Sequence, residues 1–296
     1  MEKTNLQLLF NEPIIDAKIL DPGYSEHASD VWLVKTATNE VIVRSSRLNC
    51  EPDHEFWWGC NFLFGIDPRY MIYFEHNATF LKRISDIPVP EIIARKSVHG
   101  KEYLIVQKMN GEMPKTFIGQ SEDFLHQLGT WLAKVHLHKL NYFGNLARTK
   151  VDHKENFHQK LCQAMTTIVD REHHHTSKIR LYLESILKEL SELPSPEHFC
   201  PILIDLDPSQ FLVEDGKISA IVDIEAYAVG PREFDFIGLE YVLDETASRS
   251  FINGYEEILQ LPDLSYCRTV YRYLYRLLGV QGEVDLDTWL GQPALF

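Results

Sequence analysis

No apolar run in this 296-residue chain reaches the ~18 residues that a membrane-spanning helix needs. The first stretch, MEKTNLQLLFNEP, lacks the basic region, apolar core and small-residue cleavage site of a signal peptide. Cysteine is sparse: Cys50, Cys60, Cys162, Cys200 and Cys267 are dispersed, with no C-x-x-C spacing. That fits reduced thiols in a cytoplasmic chain better than a disulfide framework or a zinc site. Positive charge is short as well, with 29 Lys and Arg against 43 Asp and Glu and a net charge of −14. A nucleic-acid binder carries a basic patch, and none is visible, so neither nucleic acid nor membrane is expected as a partner. The acidic surface attracts cationic small molecules such as aminated sugars, and it equally serves plain solubility. Internal repeats and low-complexity runs are missing.

What is present is an ordinary globular composition, 45% hydrophobic and 24% charged, at a length that suits two domains or one large one. The most informative stretch is 202–236, ILIDLDPSQFLVEDGKISAIVDIEAYAVGPREFDF. An apolar strand, Ile202 to Ile204, ends in Asp205, and a polar loop runs to Gln210. A second strand, Phe211 to Val213, turns at Glu214-Asp215-Gly216 into a third, Ile218 to Val222, which ends in Asp223. Asp-Gly between apolar runs is a hairpin signal, so the pattern predicts two carboxylates at the exits of adjacent strands. Phosphoryl transfer uses such a pair: one acid orients or deprotonates the attacking hydroxyl, the other holds Mg²⁺ on the nucleotide phosphates. An acid-capped hairpin with solvated ends is the other reading of the same residues.

These residues resemble the aminoglycoside phosphotransferase family, a branch of the kinase-like fold that also contains choline and homoserine kinases. Leu203-Ile204-Asp205 stands where the family has H-G-D, Gln210 where it has Asn, and Val222-Asp223-Ile224-Glu225 where it has the I-D-W-E type of segment. Gly230-Pro231-Arg232-Glu233-Phe234-Asp235-Phe236 is similar to G-D-P-x-x-D-L-A, and Leu128-Gly129-Thr130-Trp131-Leu132-Ala133-Lys134-Val135-His136 to l-G-x-x-L-A-x-L-H. The likeness runs over roughly residues 15–275, and it keeps both acids but not the His, Gly and Asn. It implies an α+β, two-lobed kinase-like fold: an antiparallel-sheet lobe over 1–108 that binds nucleotide, and a mainly helical lobe over 109–296 with the catalytic loop and substrate site.

The resemblance also implies roles along the N-terminal half. A β-meander over 15–45 has a turn-rich loop at Asp21-Pro22-Gly23-Tyr24-Ser25, where Gly23, Ser25 and Ser29 would cover the phosphates with backbone N–H groups. Arg44, on the third strand, would bind phosphate as a permanently charged fork. Its expected partner is Glu75, on a helix read from Phe74, Ala78 and Leu81 on one face, with Glu55 as the alternative. The aromatic run from Phe56-Trp57-Trp58 onward reads as core packing. A strand over 102–106 leads into a hinge, where Gln107 and Met109 would meet the adenine edge.

Further on, Ser121 and the apolar spacing of Leu125, Leu128, Leu132 and Val135 predict a helix over 121–140, with His136 a hydrogen-bonding core residue. Residues 150–197, 233–260 and 264–279 read as helical. His173-His174-His175 cannot close on one ion, because successive helical residues point about 100° apart. The implied activity moves the γ-phosphate of ATP or GTP to a hydroxyl of an aminoglycoside-like or other small, hydroxylated substrate, cationic ones included. Asp205 would be the catalytic base, and Asp223 and Gln210 would hold Mg²⁺. Asp207 reads as an extra ligand or a loop acid, and Asp235 as a residue that orients the loop. A monomer or a dimer fits equally. A kinase-fold protein that binds a nucleotide or partner without efficient turnover is the competing expectation.

Overall fold

The computed structural model describes residues 2–20, 27–172, 177–282 and 284–296. Its N-terminal half contains α1 (Glu2–Gln7), β1 (Ile14–Leu20), β2 (Ser29–Thr36), β3 (Glu40–Ser46), α2 (Glu55–Phe64), α3 (Ile72–Ile84), β4 (Ile92–Val98) and β5 (Lys101–Gln107). The five strands form one antiparallel sheet in the order β1-β2-β3-β5-β4. Alternation in the sequence sorts its faces. Trp32, Val34, Val41, Val43, Tyr103 and Ile105 point to one side, where Leu6 and Leu9 of the α1 region cover them. Leu104 and Val106 point to the other and join the main core with Phe74, Ala78 and Leu81 of α3.

The C-terminal half contains α4 (Glu122–His136), β6 (Tyr142–Asn145), β7 (Val151–His153), α5 (Phe157–Glu172), α6 (Ser177–Glu192), β8 (Phe199–Leu203), β9 (Phe211–Glu214), β10 (Lys217–Ile221), β11 (Tyr227–Pro231), α7 (Glu233–Val242), α8 (Glu245–Glu256), α9 (Arg268–Leu278) and α10 (Leu286–Leu290). An antiparallel sheet lobe followed by a mainly helical region is the α+β, kinase-like arrangement expected from the sequence. α4 starts where Ser121 caps it, accepting the Phe124 amide at 3.0 Å. It crosses α8 at backbone contact. A Cβ on Gly129 would lie 2.0 Å from the Phe251 oxygen, and one on Gly254 would lie 2.0 Å from the His126 oxygen.

Several elements differ from the sequence expectation. The strand before Asp205 does not lie beside the β9–β10 hairpin. β8 pairs with β11 in a separate sheet of order β7-β6-β11-β8, while β9 and β10 form their own ribbon. All residues of β8 and β11 are buried, so neither strand shows the alternation that announces a half-exposed one. The segment 233–260 is two helices, α7 and α8, because Asp244 starts a new one by accepting the Ala247 amide at 2.7 Å. The aromatic run belongs to α2, which packs on α5, α9 and β6. There Trp58 stacks on Phe62, Arg171 lies over Trp58 and Lys160 over Phe62.

Candidate active site

A cleft of about 370 Å³ runs between the five-stranded sheet, the segment after β5 and the β9–β10 ribbon. Its lining is apolar at Leu20, Val31, Leu33, Ile42, Val106, Met109, Leu212 and Val222. It is polar at Ser29, Arg44, Asp205, Gln210, Asp223 and Glu225. Of the sequence-predicted residues, Arg44, Gln107, Met109, Asp205, Gln210 and Asp223 therefore line one cavity, and Glu75 does not. Gly23 and Ser25 lie outside the described residues, as do His173, His174 and His175.

The segment after β5 is stitched to the ribbon. Glu112 and Val213 exchange backbone hydrogen bonds at 2.9 and 2.8 Å, and the Ser219 hydroxyl donates to the Asn110 oxygen at 3.0 Å. Gly111 has φ +125°, and a Cβ there would sit 2.5 Å from Ser219 Oγ, so this crossing requires glycine. The ribbon's own turn has positive φ at Asp215 and Gly216, 52° and 75°, as the Asp-Gly signal predicts.

Asp205 lies two residues past β8, in a loop held from behind. The Leu203 amide donates to Asp235 Oδ1 at 2.8 Å. Asp235 Oδ2 bonds His136 Nε2 at 3.0 Å, and His136 Nδ1 meets the Tyr255 hydroxyl at 2.9 Å. All three side chains are fully buried. Burial pushes the His136 pKa well below and the Asp235 pKa well above their usual ranges, which favours the neutral forms. His136 and Asp235 are thus scaffold for the loop. The Asp205 pKa is pushed up to about 7, by burial first and by the Asp207 and Asp223 carboxylates after it. Asp207 is engaged locally, accepting the Ser209 amide at 2.8 Å as the cap of the turn over 208–210.

Gln210 is buried, and its Nε2 donates to the Asp205 carbonyl oxygen. A carbonyl can only accept, so this bond fixes the amide orientation. It leaves Oε1 buried with no hydrogen-bond partner among the described residues, in a side chain that lines the cleft.

Arg44 corrects one expectation outright. Its partner is neither Glu75 nor Glu55. Its Nη2 lies 2.8 Å from Asp223 Oδ1 and 2.9 Å from Glu225 Oε1, and its Nε donates to Glu225 Oε1 at 3.1 Å. On α3 the residue facing Arg44 is Phe74, whose ring centroid is 5.0 Å from the guanidinium carbon. Glu75 follows Phe74, and one residue turns a helix by about 100°, so its carboxylate points to β4 and pairs with Arg95 at 3.2 Å. Glu55 sits 3.5 Å from His54. Glu225 is the residue that sequence reasoning missed: it was visible two positions after Asp223, but its contact with β3 spans most of the chain. It also takes the Ser29 hydroxyl, at 2.8 Å from Oε2. Burial raises the Glu225 pKa while Arg44 opposes the rise. Burial likewise disfavours the charge on Arg44, but Glu225 and Asp223 outweigh it and raise its pKa.

Among the described residues, no cluster of three or more His, Cys, Asp or Glu is poised for a metal, and no helix is long and apolar enough to cross a membrane. A family model described as "Phosphotransferase enzyme family" matches residues 24–269. No curated protein sequence matches the chain. Among solved structures, the GDP complex of wild-type aminoglycoside 2'-phosphotransferase-IIIa is similar over 98% of this chain and 93% of its own, with TM-score 0.63 at 16% identity. The macrolide 2'-phosphotransferase MphH of Brachybacterium faecium, an apoenzyme, covers 99% of each chain with TM-score 0.60 at 16% identity. A spectinomycin phosphotransferase in complex with ADP and spectinomycin covers 94% of this chain and 85% of its own, with TM-score 0.62 at 11% identity.

Proposed function

The chain belongs to the phosphotransferase enzyme family, and from that premise we propose that it moves the γ-phosphate of ATP or GTP to a hydroxyl of a small molecule. The observation that carries the reading is the polar part of the cleft's lining. Asp205 and Asp223 line one cavity, and Gln210, which lines it too, offers a buried amide oxygen with no hydrogen-bond partner among the described residues. Mg²⁺ prefers hard oxygen ligands and commonly takes one or two from protein and the rest from phosphates and water. The carboxylate of Asp223 and Gln210 Oε1 fit that demand. When bound, the ion supplies charge neutralisation on the phosphates.

The remaining work falls to the chain itself. The apolar slot from Val31 to Val222 takes the flat base, with the backbone from Gln107 to Met109 at its edge. Arg44 holds phosphate oxygens. Asp205, with its pKa near 7, accepts the proton of the acceptor hydroxyl or orients it for in-line attack. Its neighbour Leu203 keeps the loop in place through its backbone amide, so the family's histidine side chain is not required for that bond. On this reading residues 1–108 are the nucleotide lobe and 109–296 the acceptor lobe of a cytoplasmic enzyme. The solved relatives act on aminoglycoside, macrolide and spectinomycin acceptors, as their names state, and hydroxylated amines of that size are the first class to try.

A coupled assay with ATP and with GTP over hydroxylated and aminated small molecules tests the proposal. Acceptor-dependent nucleotide turnover that Asp205→Asn abolishes is the expected result. Nucleotide binding without turnover on any acceptor supports the second reading, a binding protein on the kinase fold. One observation favours that alternative: Arg44 already pairs with Asp223.

A further inference from the structure

The carboxylates that pair with Arg44 do not come from α3, where the sequence reading places its partner. On α3 the place opposite Arg44 is taken by Phe74, and Glu75 is engaged with Arg95. The two carboxylates come from the segment after β10, and they hold Arg44 unequally. Glu225 has a side chain only 11% exposed, receives Arg44 through both Nε and Nη2, and takes the Ser29 hydroxyl as well. Asp223 has a side chain 42% exposed and receives Arg44 through Nη2 alone.

Building on the phosphotransferase reading, we propose that Glu225 is the positioning residue for Arg44, and that Arg44 is a resident counter-cation on Asp223 that gives way when Mg²⁺ and nucleotide enter. The asymmetry decides which contact yields. Separating Arg44 from Glu225 would strand a buried charge, a costly step. Separating it from Asp223 exposes a carboxylate already open to the cleft. Without ligand, one guanidinium serves two carboxylates, which leaves a net negative charge that a cation entering at Asp223 offsets. With Mg²⁺ on Asp223, Arg44 and Glu225 form a closed neutral pair, and the guanidinium edge that leaves Asp223 faces incoming phosphate oxygens. The fork explains why arginine stands here. Nε and Nη2 keep hold of Glu225 while further N–H donors remain for phosphate, a division that a single ammonium cannot make.

The test is the Mg²⁺ concentration that half-saturates the ADP- and GDP-dependent melting shift of the full chain. With Glu225→Gln, Arg44 has only Asp223 left and competes harder with the metal. Half-saturation should move up about tenfold, the scale of one charge-assisted hydrogen bond. Arg44→Lys should move it the same way, Ser29→Ala by less, and Glu75→Gln not at all. An unchanged Mg²⁺ requirement in Glu225→Gln, or an equal rise in Glu75→Gln, overturns the proposal. If Glu225→Gln does not fold, the structure of the unaltered protein with Mg²⁺ and ADP decides: Arg44 on Glu225 and off Asp223 supports the exchange, and a guanidinium still bonded to Asp223 refutes it. A parent protein with no nucleotide-dependent shift at any Mg²⁺ level defeats the phosphotransferase reading itself, an outcome distinct from the others.

Discussion

Leu203 donates its backbone amide to Asp235 Oδ1 at 2.8 Å, across 32 residues of chain and inside the core. This bond joins the first turn of α7 to the last residue of β8, two positions before Asp205. The same carboxylate holds His136, so one buried group ties α4, α7 and the loop that carries Asp205 together. Asp235→Ala removes the acceptor and leaves the Leu203 amide and the imidazole unsatisfied in the core. A loss of about 2–5 kcal/mol is expected, one to two buried polar groups without partners. Asp235→Asn keeps one oxygen and should lose less. Chemical denaturation of both variants checks the order, and equal melting to the parent would remove Asp235 from its scaffold role.

The crossing of α4 and α8 gives a purely steric prediction. A Cβ on Gly129 would stand 2.0 Å from the Phe251 oxygen and 2.8 Å from the Tyr255 amide nitrogen, both backbone atoms that cannot rotate away. Gly129→Ala should therefore cost about 3 kcal/mol or more, the upper end for overpacking, although alanine is the better helix former. Leu181→Ala, at a site 76% exposed, should change stability by less than about 0.5 kcal/mol. Paired denaturation curves decide the matter, and a neutral Gly129→Ala would mean the helices sit farther apart.

Where the sequence could be read, a local physical rule was at work. β1 to β3, α3 and α4 follow from alternation, helical spacing and the Ser121 cap. The Asp215-Gly216 turn follows from positive φ at both residues. Asp205 and Asp223 were legible because the apolar runs before them break at an acid, whereas Gln210 was assigned from the family resemblance alone. Where reading failed, the information was not local. β8 was read only in part, as Ile202 to Ile204, and β11 was not read as a strand, because both are buried on both faces and carry no period. The partner of Arg44 was misjudged because one step along α3 separates a residue facing Arg44 from one facing β4. Its true partner lies 181 residues away. No pattern of spacing announces that contact.

The elevated Asp205 pKa sets a pH signature. A general base works as the carboxylate, and burial with its acidic neighbours holds this one protonated up to about 7. Activity should therefore be lost as pH falls through that value and recovered as it rises. The limb should appear in kcat/KM for the nucleotide, which reports the free enzyme, with a slope of one proton. In kcat the midpoint should lie lower, because a divalent cation beside Asp223 favours the Asp205 anion. A rate flat between pH 5 and 8, a window of about two units below and one above the midpoint, would dismiss Asp205 as the titrating base.

Removing the Asp205 charge should separate chemistry from stability. Asp205→Asn keeps the shape of the side chain and deletes the base, so turnover should fall by about 10²–10⁴-fold. Nucleotide affinity should hold or improve slightly, as one negative charge leaves the phosphate end of the cleft. The raised pKa adds a second readout. A carboxyl whose folded pKa exceeds its unfolded one stabilises the fold most below the unfolded value, and that contribution is lost as pH rises through the folded pKa, here about 7. Asn carries no such penalty. The variant should therefore melt above the parent at pH 8 and close to it at pH 4. A function-bearing acid held in an unfavourable setting has that profile, whereas a solvated loop acid would leave both rate and melting temperature unchanged. Leu203→His with Gln210→Asn supplies the converse. A working enzyme should gain turnover from the restored family residues, while a nucleotide-binding protein without chemistry should gain metal affinity alone.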